Sequence, residues 1–168
     1  MLNQLIFNNI KASRITWIVN KIFSIKTNSS VEGQHFKASG KLVSLSEQNL
    51  ADCVYVDQGG CGGGWMGDAF EYIKTNNGIN TEASYRYTGI DHTCKFKSAK
   101  VGATVSGYVD VETTEAALQE AVATVGPISA AIDATHPSFQ PYTHGVYYEP
   151  KCRSNSLHTN HGNEKFFL

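Results

Sequence analysis

Gly59-Gly60-Cys61-Gly62-Gly63-Gly64-Trp65-Met66 sets five glycines and a cysteine directly before an apolar, helix-like pattern. Consecutive glycines admit positive φ and leave the backbone uncovered, so another chain can approach its N–H and C=O groups closely. Composition alone reads the stretch as a permissive turn before a helix, and the flanks decide whether it is also a backbone-binding wall. Downstream, Trp65, Met66, Ala69, Phe70 and Ile73 form one apolar stripe, core by default, and Asn77-Gly78 supplies the helix stop. Upstream, Ser44-Leu45-Ser46-Glu47 has the form of a capping box, and Leu45, Gln48-Asn49-Leu50 and Cys53 fit a short helix running into the glycines.

Further along, Val101, Ala103 and Val105 alternate with small or polar residues and the alternation resumes over Tyr108 to Val111, so this segment reads as strand. Thr113-Thr114-Glu115 opens a helix through Leu118, Ala121 and Val122 that Gly126-Pro127 must end. Ile128 to Ile132 and Gly145 to Tyr148 read as short strands. Helices come first and strands dominate later, the order of an α+β protein.

At 168 residues the chain is long enough for one domain, which buries roughly 70% of its unfolded surface. Its 41% hydrophobic and 17% charged content is that of a globular protein, and a formal charge of −1 carries no signature of nucleic-acid binding. Cys53, Cys61, Cys94 and Cys152 include no C-x-x-C, which argues against a zinc ribbon or thioredoxin-type motif and for an oxidising compartment; their pairing stays open on spacing. His158 and His161 lack a third ligand, so neither a metal nor a cofactor is implied.

Residues 1–30 contain no Asp or Glu but carry Lys11, Arg14, Lys21 and Lys26, and the composition changes at Val31-Glu32. Ile15, Ile18, Val19 and Ile22 recur at helical spacing, so an amphipathic helix is expected there. The run Trp17-Ile18-Val19 is too short for a signal-peptide core or a membrane span, and a membrane partner is not expected. Asn28-Ser29-Ser30 is a glycosylation sequon, meaningful if the chain is secreted.

Three ordered segments then match something specific: Leu45-Ser46-Glu47-Gln48-Asn49-Leu50-Ala51-Asp52-Cys53, Gly60-Cys61-Gly62-Gly63-Gly64-Trp65-Met66, and Gly126-Pro127-Ile128-Ser129-Ala130-Ala131-Ile132-Asp133-Ala134. With Val31-Glu32-Gly33-Gln34-His35-Phe36 and Tyr147-Tyr148-Glu149-Pro150-Lys151-Cys152, they resemble the papain-like cysteine peptidases, closest to the cathepsin L branch. The resemblance covers residues 31–162, leaving 1–30 as a non-family leader and 163–168 as a divergent tail. It implies a partial papain-like α+β fold, truncated at both ends. A helical left half and a β-rich right half are expected, without the central nucleophile helix and the C-terminal strands.

In that family substrate lies extended between the halves. The match gives Gly63 and Gly64 the role of pairing with substrate backbone, and puts Trp65, Met66 and Ala131 on the pocket for the second residue before the scissile bond. Trp65 stands where the family usually has a smaller aliphatic residue, so the pocket is expected to be partly filled. The resemblance also implies peptide or protein substrates, protease inhibitors as partners, and a lysosomal or extracellular location, although no signal peptide is evident.

Cleavage in the family uses a Cys thiolate beside a His imidazolium, an orienting Asn, and a Gln with backbone N–H groups on the oxyanion. Counting back from Glu32 without a gap, Ile22 takes the nucleophile's position and Phe23 that of the Trp after it; Cys53 is the first cysteine of the sequence. Asn160-His161-Gly162 fits the His motif and assigns His161, with His158 inside an apparent insertion as its rival. The orienting Asn and the oxyanion Gln find no match, so the peptidase homologue is predicted inactive. The alternative is a non-catalytic module that holds peptides or inhibitors on the Gly63-Gly64 platform. By the same match Cys53 pairs with Cys94, and Cys61 and Cys152 are left unpaired. Without the central helix, Phe70 and Ile73 are expected on the surface, with poor stability and aggregation as the result.

Overall fold

The computed structural model describes residues 4–7, 22–54, 64–112, 114–130, 136–138, 141–150 and 166–167. In chain order these hold strand β1 (Gln4–Phe7), helices α1 (Ile22–Ser39), α2 (Glu47–Cys53) and α3 (Met66–Thr75), and strand β2 (Ile79–Asn80). A 3-10 turn at Ser98–Lys100, strands β3 (Val101–Ala103) and β4 (Asp110–Val111), helix α4 (Glu115–Thr124), and strands β5 (Gly145–Tyr148) and β6 (Phe166–Phe167) follow. The architecture is α+β.

The main departure from expectation is α1. A helix of 18 residues stands where the central helix was expected to be missing, and it runs unbroken through the composition change at residue 31. Among its described side chains Ser24, Thr27, Asn28, Ser30 and Val31 are buried, and the helix packs on α2 and α3. Four of those five described side chains are polar, so they carry no apolar stripe of their own. Two of these polar groups are paired locally and across the interface, Ser30 Oγ donating to the Thr27 carbonyl at 2.9 Å and Asn28 Nδ2 to the Leu45 carbonyl at 3.2 Å, whereas Asn28 Oδ1 is buried without a partner among the described residues. Packing on α2 and α3 therefore contributes to holding α1.

This helix also overturns the expected exposure of the α3 stripe. Phe70 is 2% exposed and Ile73 fully buried, in one core with Val31, Leu45, Leu50, Met66, Ala69 and Ile79. A smaller cluster joins Val111 and Ala121 to Leu118 and Ile128.

Helix α2 starts later than the Ser44 capping box places it. Ser46 is the N-cap and accepts the Asn49 N–H at 2.9 Å. Ser44 instead pairs through its carbonyl with the Glu82 N–H, and Leu45 bridges Thr81, so the chain is still extended there. Thr114 caps α4 by accepting the Ala117 N–H at 3.1 Å. The expected strand from Val101 to Val111 forms only at its two ends, as β3 and β4. Each described sheet is a two-stranded antiparallel pair: β1 with β5, β2 with β3, and β4 with β6. Of the Ile128 to Ile132 strand, the described part contributes a single bridge residue, Ser129.

α1 links the helical and the later segments directly. Gln34 Nε2 donates to the carbonyls of Pro127 (3.0 Å) and Val125 (3.3 Å), and Lys37 Nζ also reaches the Val125 carbonyl. Between them Gly33 meets the Pro127 ring so closely that a Cβ would lie 2.6 Å from its Cγ. Only glycine allows that approach.

Candidate functional site

The wall that follows the glycine run is set by the start of α3. Gly64 is exposed, and Trp65 takes the extended N-cap conformation (φ −97°, ψ 137°) with its half-buried ring against the main core. Its carbonyl accepts the Ala69 N–H at 3.3 Å, so the helix begins at Met66. Met66 is buried, and its sulfur accepts the Ser129 Oγ–H at 2.8 Å. The first residue of α3 thus touches the segment after α4, which brings the two sides of the expected cleft together at one point. Ser129 was missed by sequence reasoning. The signal was its place two residues before Ala131, the spacing that puts side chains on one face of an extended segment. Gly63, Ala131, His161, His158, Cys61 and Cys152 lie outside the described residues.

Behind the wall, the motif Gln48-Asn49-Leu50-Ala51-Asp52-Cys53 is buried and its polar groups are paired. Gln48 Oε1 accepts the N–H groups of Thr88 (2.9 Å) and Gly89 (3.3 Å), and its Nε2 donates to Asp52 Oδ1 and the Ile90 carbonyl. Asp52 also accepts the His92 N–H at 2.9 Å and the Tyr85 O–H at 2.7 Å. Burial, helped by that carboxylate, pushes the Tyr85 phenol well above the usual tyrosine range. Asn49 ties α2 to α3 by donating to Tyr72 Oη at 3.1 Å, and to β2 by accepting the Asn80 N–H at 3.0 Å. Cys53 and Cys94 form a disulfide that fastens the far end of the loop. α2 is in effect a polar post holding the 85–94 loop and α3 in fixed relation.

Ile22, at the position matched to the nucleophile, is the first residue of α1. A helix N-terminus favours negative charge and lowers the pKa of a thiol placed there. An isoleucine side chain has neither a titratable proton nor a nucleophilic atom. Two turns on, Asn28 and Glu32 grip both backbone groups of Leu45, with Glu32 Oε1 accepting its N–H at 2.7 Å. The same contact disposes of the sequon: Asn28 is 1% exposed, and the nitrogen a glycan would occupy is the one donating to Leu45.

Burial raises the Glu32 carboxyl above 4.5, partly offset by the Leu45 N–H. A folded pKa above the unfolded one means that the folded chain holds the proton more firmly. Glu32 therefore favours folding most below pH 4.5, and that contribution is lost as pH rises through its raised folded value. Glu32→Gln, which keeps an acceptor for Leu45, is expected to flatten the decline of stability with rising pH in that weakly acidic window. Denaturant melts at several pH values would read it, and an unchanged slope would refute the assignment.

A family model described as papain family cysteine protease matches residues 22–163. The chain belongs to the papain family of cysteine proteases. Within this family it is 57% identical over 137 residues to a cathepsin L-like peptidase of Aedes aegypti, covering 80% of this chain and 40% of that one. It is 53% identical over 138 residues to digestive cysteine proteinase 2 of Homarus americanus, covering 80% and 42% respectively. The structure of a digestive procathepsin L2 proteinase from the larval midgut of Tenebrio molitor superposes with a TM-score of 0.73 at 38% identity, over 88% of this chain and 46% of that one. The chain therefore spans about two-fifths of the length of these curated papain-family relatives, and its match begins at Ile22. Among the described residues no helix is long and apolar enough to cross a membrane, and no group of His, Cys, Asp or Glu is placed to hold a metal ion.

Proposed function

We propose that this chain is a cathepsin L-like peptidase homologue that keeps part of the substrate-binding wall and performs no covalent step on a peptide bond. The observation that carries the reading is Ile22 at the head of α1, in register with Glu32 ten residues on, in a sequence whose first cysteine is Cys53. Attack on a peptide carbonyl requires a thiolate; without one, an imidazole at His161 has no nucleophile to activate. Loss of the nucleophile removes several orders of magnitude in rate. The ligands would be extended peptides or proteins, in a lysosomal or extracellular compartment compatible with the disulfide.

The test is a fluorogenic peptide assay on the purified chain combined with a thiol-directed active-site probe. No turnover and no selective labelling are expected. Turnover, or stoichiometric labelling of Cys61 that a competing peptide blocks, would overturn the proposal.

A second reading, a non-catalytic module for peptides or cystatin-type inhibitors, is favoured by exposed Gly64 standing beside fixed Trp65 and Met66. Calorimetry would show binding without turnover, weakened by Gly64→Val. Heats no larger than dilution would end it.

A further inference from the structure

The sequence contains a single Asn-Gly pair, Asn77-Gly78, and it forms the end of α3. Asn77 is exposed with φ 57°, and Gly78 is buried with φ 135°. The Asn77 N–H donates to the Lys74 carbonyl at 3.2 Å and the Gly78 N–H to the Ile73 carbonyl at 2.8 Å, the paired bonds of a Schellman cap. Asn76 Nδ2 adds a brace, donating to the Gly78 carbonyl at 3.2 Å and to Tyr72 Oη at 3.0 Å. A Cβ on Gly78 would lie 2.5 Å from Val101 Cγ1, so the slot against β3 admits only glycine. Glycine in turn leaves the main-chain nitrogen after Asn77 unshielded by any side chain of its own.

We infer that Asn77 is a deamidation site gated by this cap. When the Gly78 N–H parts from the Ile73 carbonyl, its nitrogen attacks Asn77 Cγ. The N–Cγ bond forms, the Cγ–Nδ2 bond breaks, and ammonia leaves with the proton from Gly78 N. Water then opens the succinimide at either carbonyl, giving aspartate or isoaspartate. While the cap is closed, the attacking nitrogen is buried and its N–H is engaged, so the reaction runs only through local opening.

Both products act back on the fold. Either adds a carboxylate at the negative end of the α3 dipole. Isoaspartate also inserts a methylene into the main chain next to Gly78, where contact with Val101 leaves no slack, so it displaces the start of β2 from β3.

The test incubates the full chain in mildly alkaline buffer, folded and in guanidinium, and follows the Asn77 peptide by mass spectrometry with chromatographic separation of the two acids. The folded chain is expected to convert at least about tenfold more slowly than the unfolded one, the protection that a modest local-opening equilibrium gives. Asn76→Ala, which removes the brace, is expected to speed conversion several-fold in the folded chain only, with helix content unchanged. Tyr72→Phe, which removes the hydroxyl that holds Asn76, is a second route to the same release. Equal rates in the two states, no conversion in either, or folded-state rates insensitive to both variants would overturn the inference.

Discussion

Replacing Phe70 by alanine is expected to cost about 4 kcal/mol of folding stability, the range for truncating a fully buried aromatic side chain. Phe70 is 2% exposed, lies in the main core with Ile73 and Met66, and stacks on Tyr108 with ring centroids 5.6 Å apart. That aromatic pair adds roughly 1 kcal/mol beyond area burial. The size of the loss also tests α1, because a core open on the helix side would leave Phe70 on the surface. A surface substitution of that kind changes stability by no more than about 0.5 kcal/mol. Urea denaturation of Phe70→Ala against Val122→Ala, whose parent residue is 49% exposed, separates the two cases. A loss for Phe70→Ala as small as that for Val122→Ala would mean that α1 does not cover this face.

Opening the Cys53–Cys94 disulfide, by reduction or by replacing both residues with serine, is expected to cost a similar amount. The bridge spans 41 residues, for which the chain-entropy account gives about 4 kcal/mol. The native geometry around it is expected to persist, because Gln48 and Asp52 hold the 88–92 backbone independently of the sulfurs. The loss should therefore sit in the unfolded state: a lower denaturation midpoint, with a steeper denaturant dependence as the released chain exposes more surface. An unchanged midpoint under reducing conditions would show that the bridge does not constrain the chain.

α3 and α4 were legible because each carries a local signal, an apolar stripe with a positive-φ stop in one and a threonine cap with a Gly-Pro end in the other. α1 was not, since four of the five described buried side chains on it are serine, threonine or asparagine, and hydrogen bonds to Leu45 do what apolar periodicity usually announces. The start of α2 was misread by two residues for a related reason. Ser44 and Ser46 offer the same local cap chemistry, and the pairing of Leu45 with Thr81 decides between them.

The candidate site divides along the same line. The run of glycines before a helix marks Gly64 as a stretch of open backbone, and the resemblance to papain-like peptidases adds Trp65 and Met66 and aligns Ile22 with the nucleophile's position. Ser129 offers only its spacing from Ala131 as a signal, because its contact is with a sulfur 63 residues away.

The hydrogen bond from Asn28 to Leu45 also has a meaning in time. The oxidising compartment that would close Cys53–Cys94 is, in a eukaryotic secretory pathway, also the one where sequons receive glycans while the chain is still emerging. A glycan on Asn28 at that stage would sit on the nitrogen and in the space that α1 needs when it docks. On such a route a glycan attached before residues 28–45 come together would block the docking of α1. Production in an oxidising host without glycosylation, or with Ser30 replaced to erase the sequon, separates the benefit from the hazard.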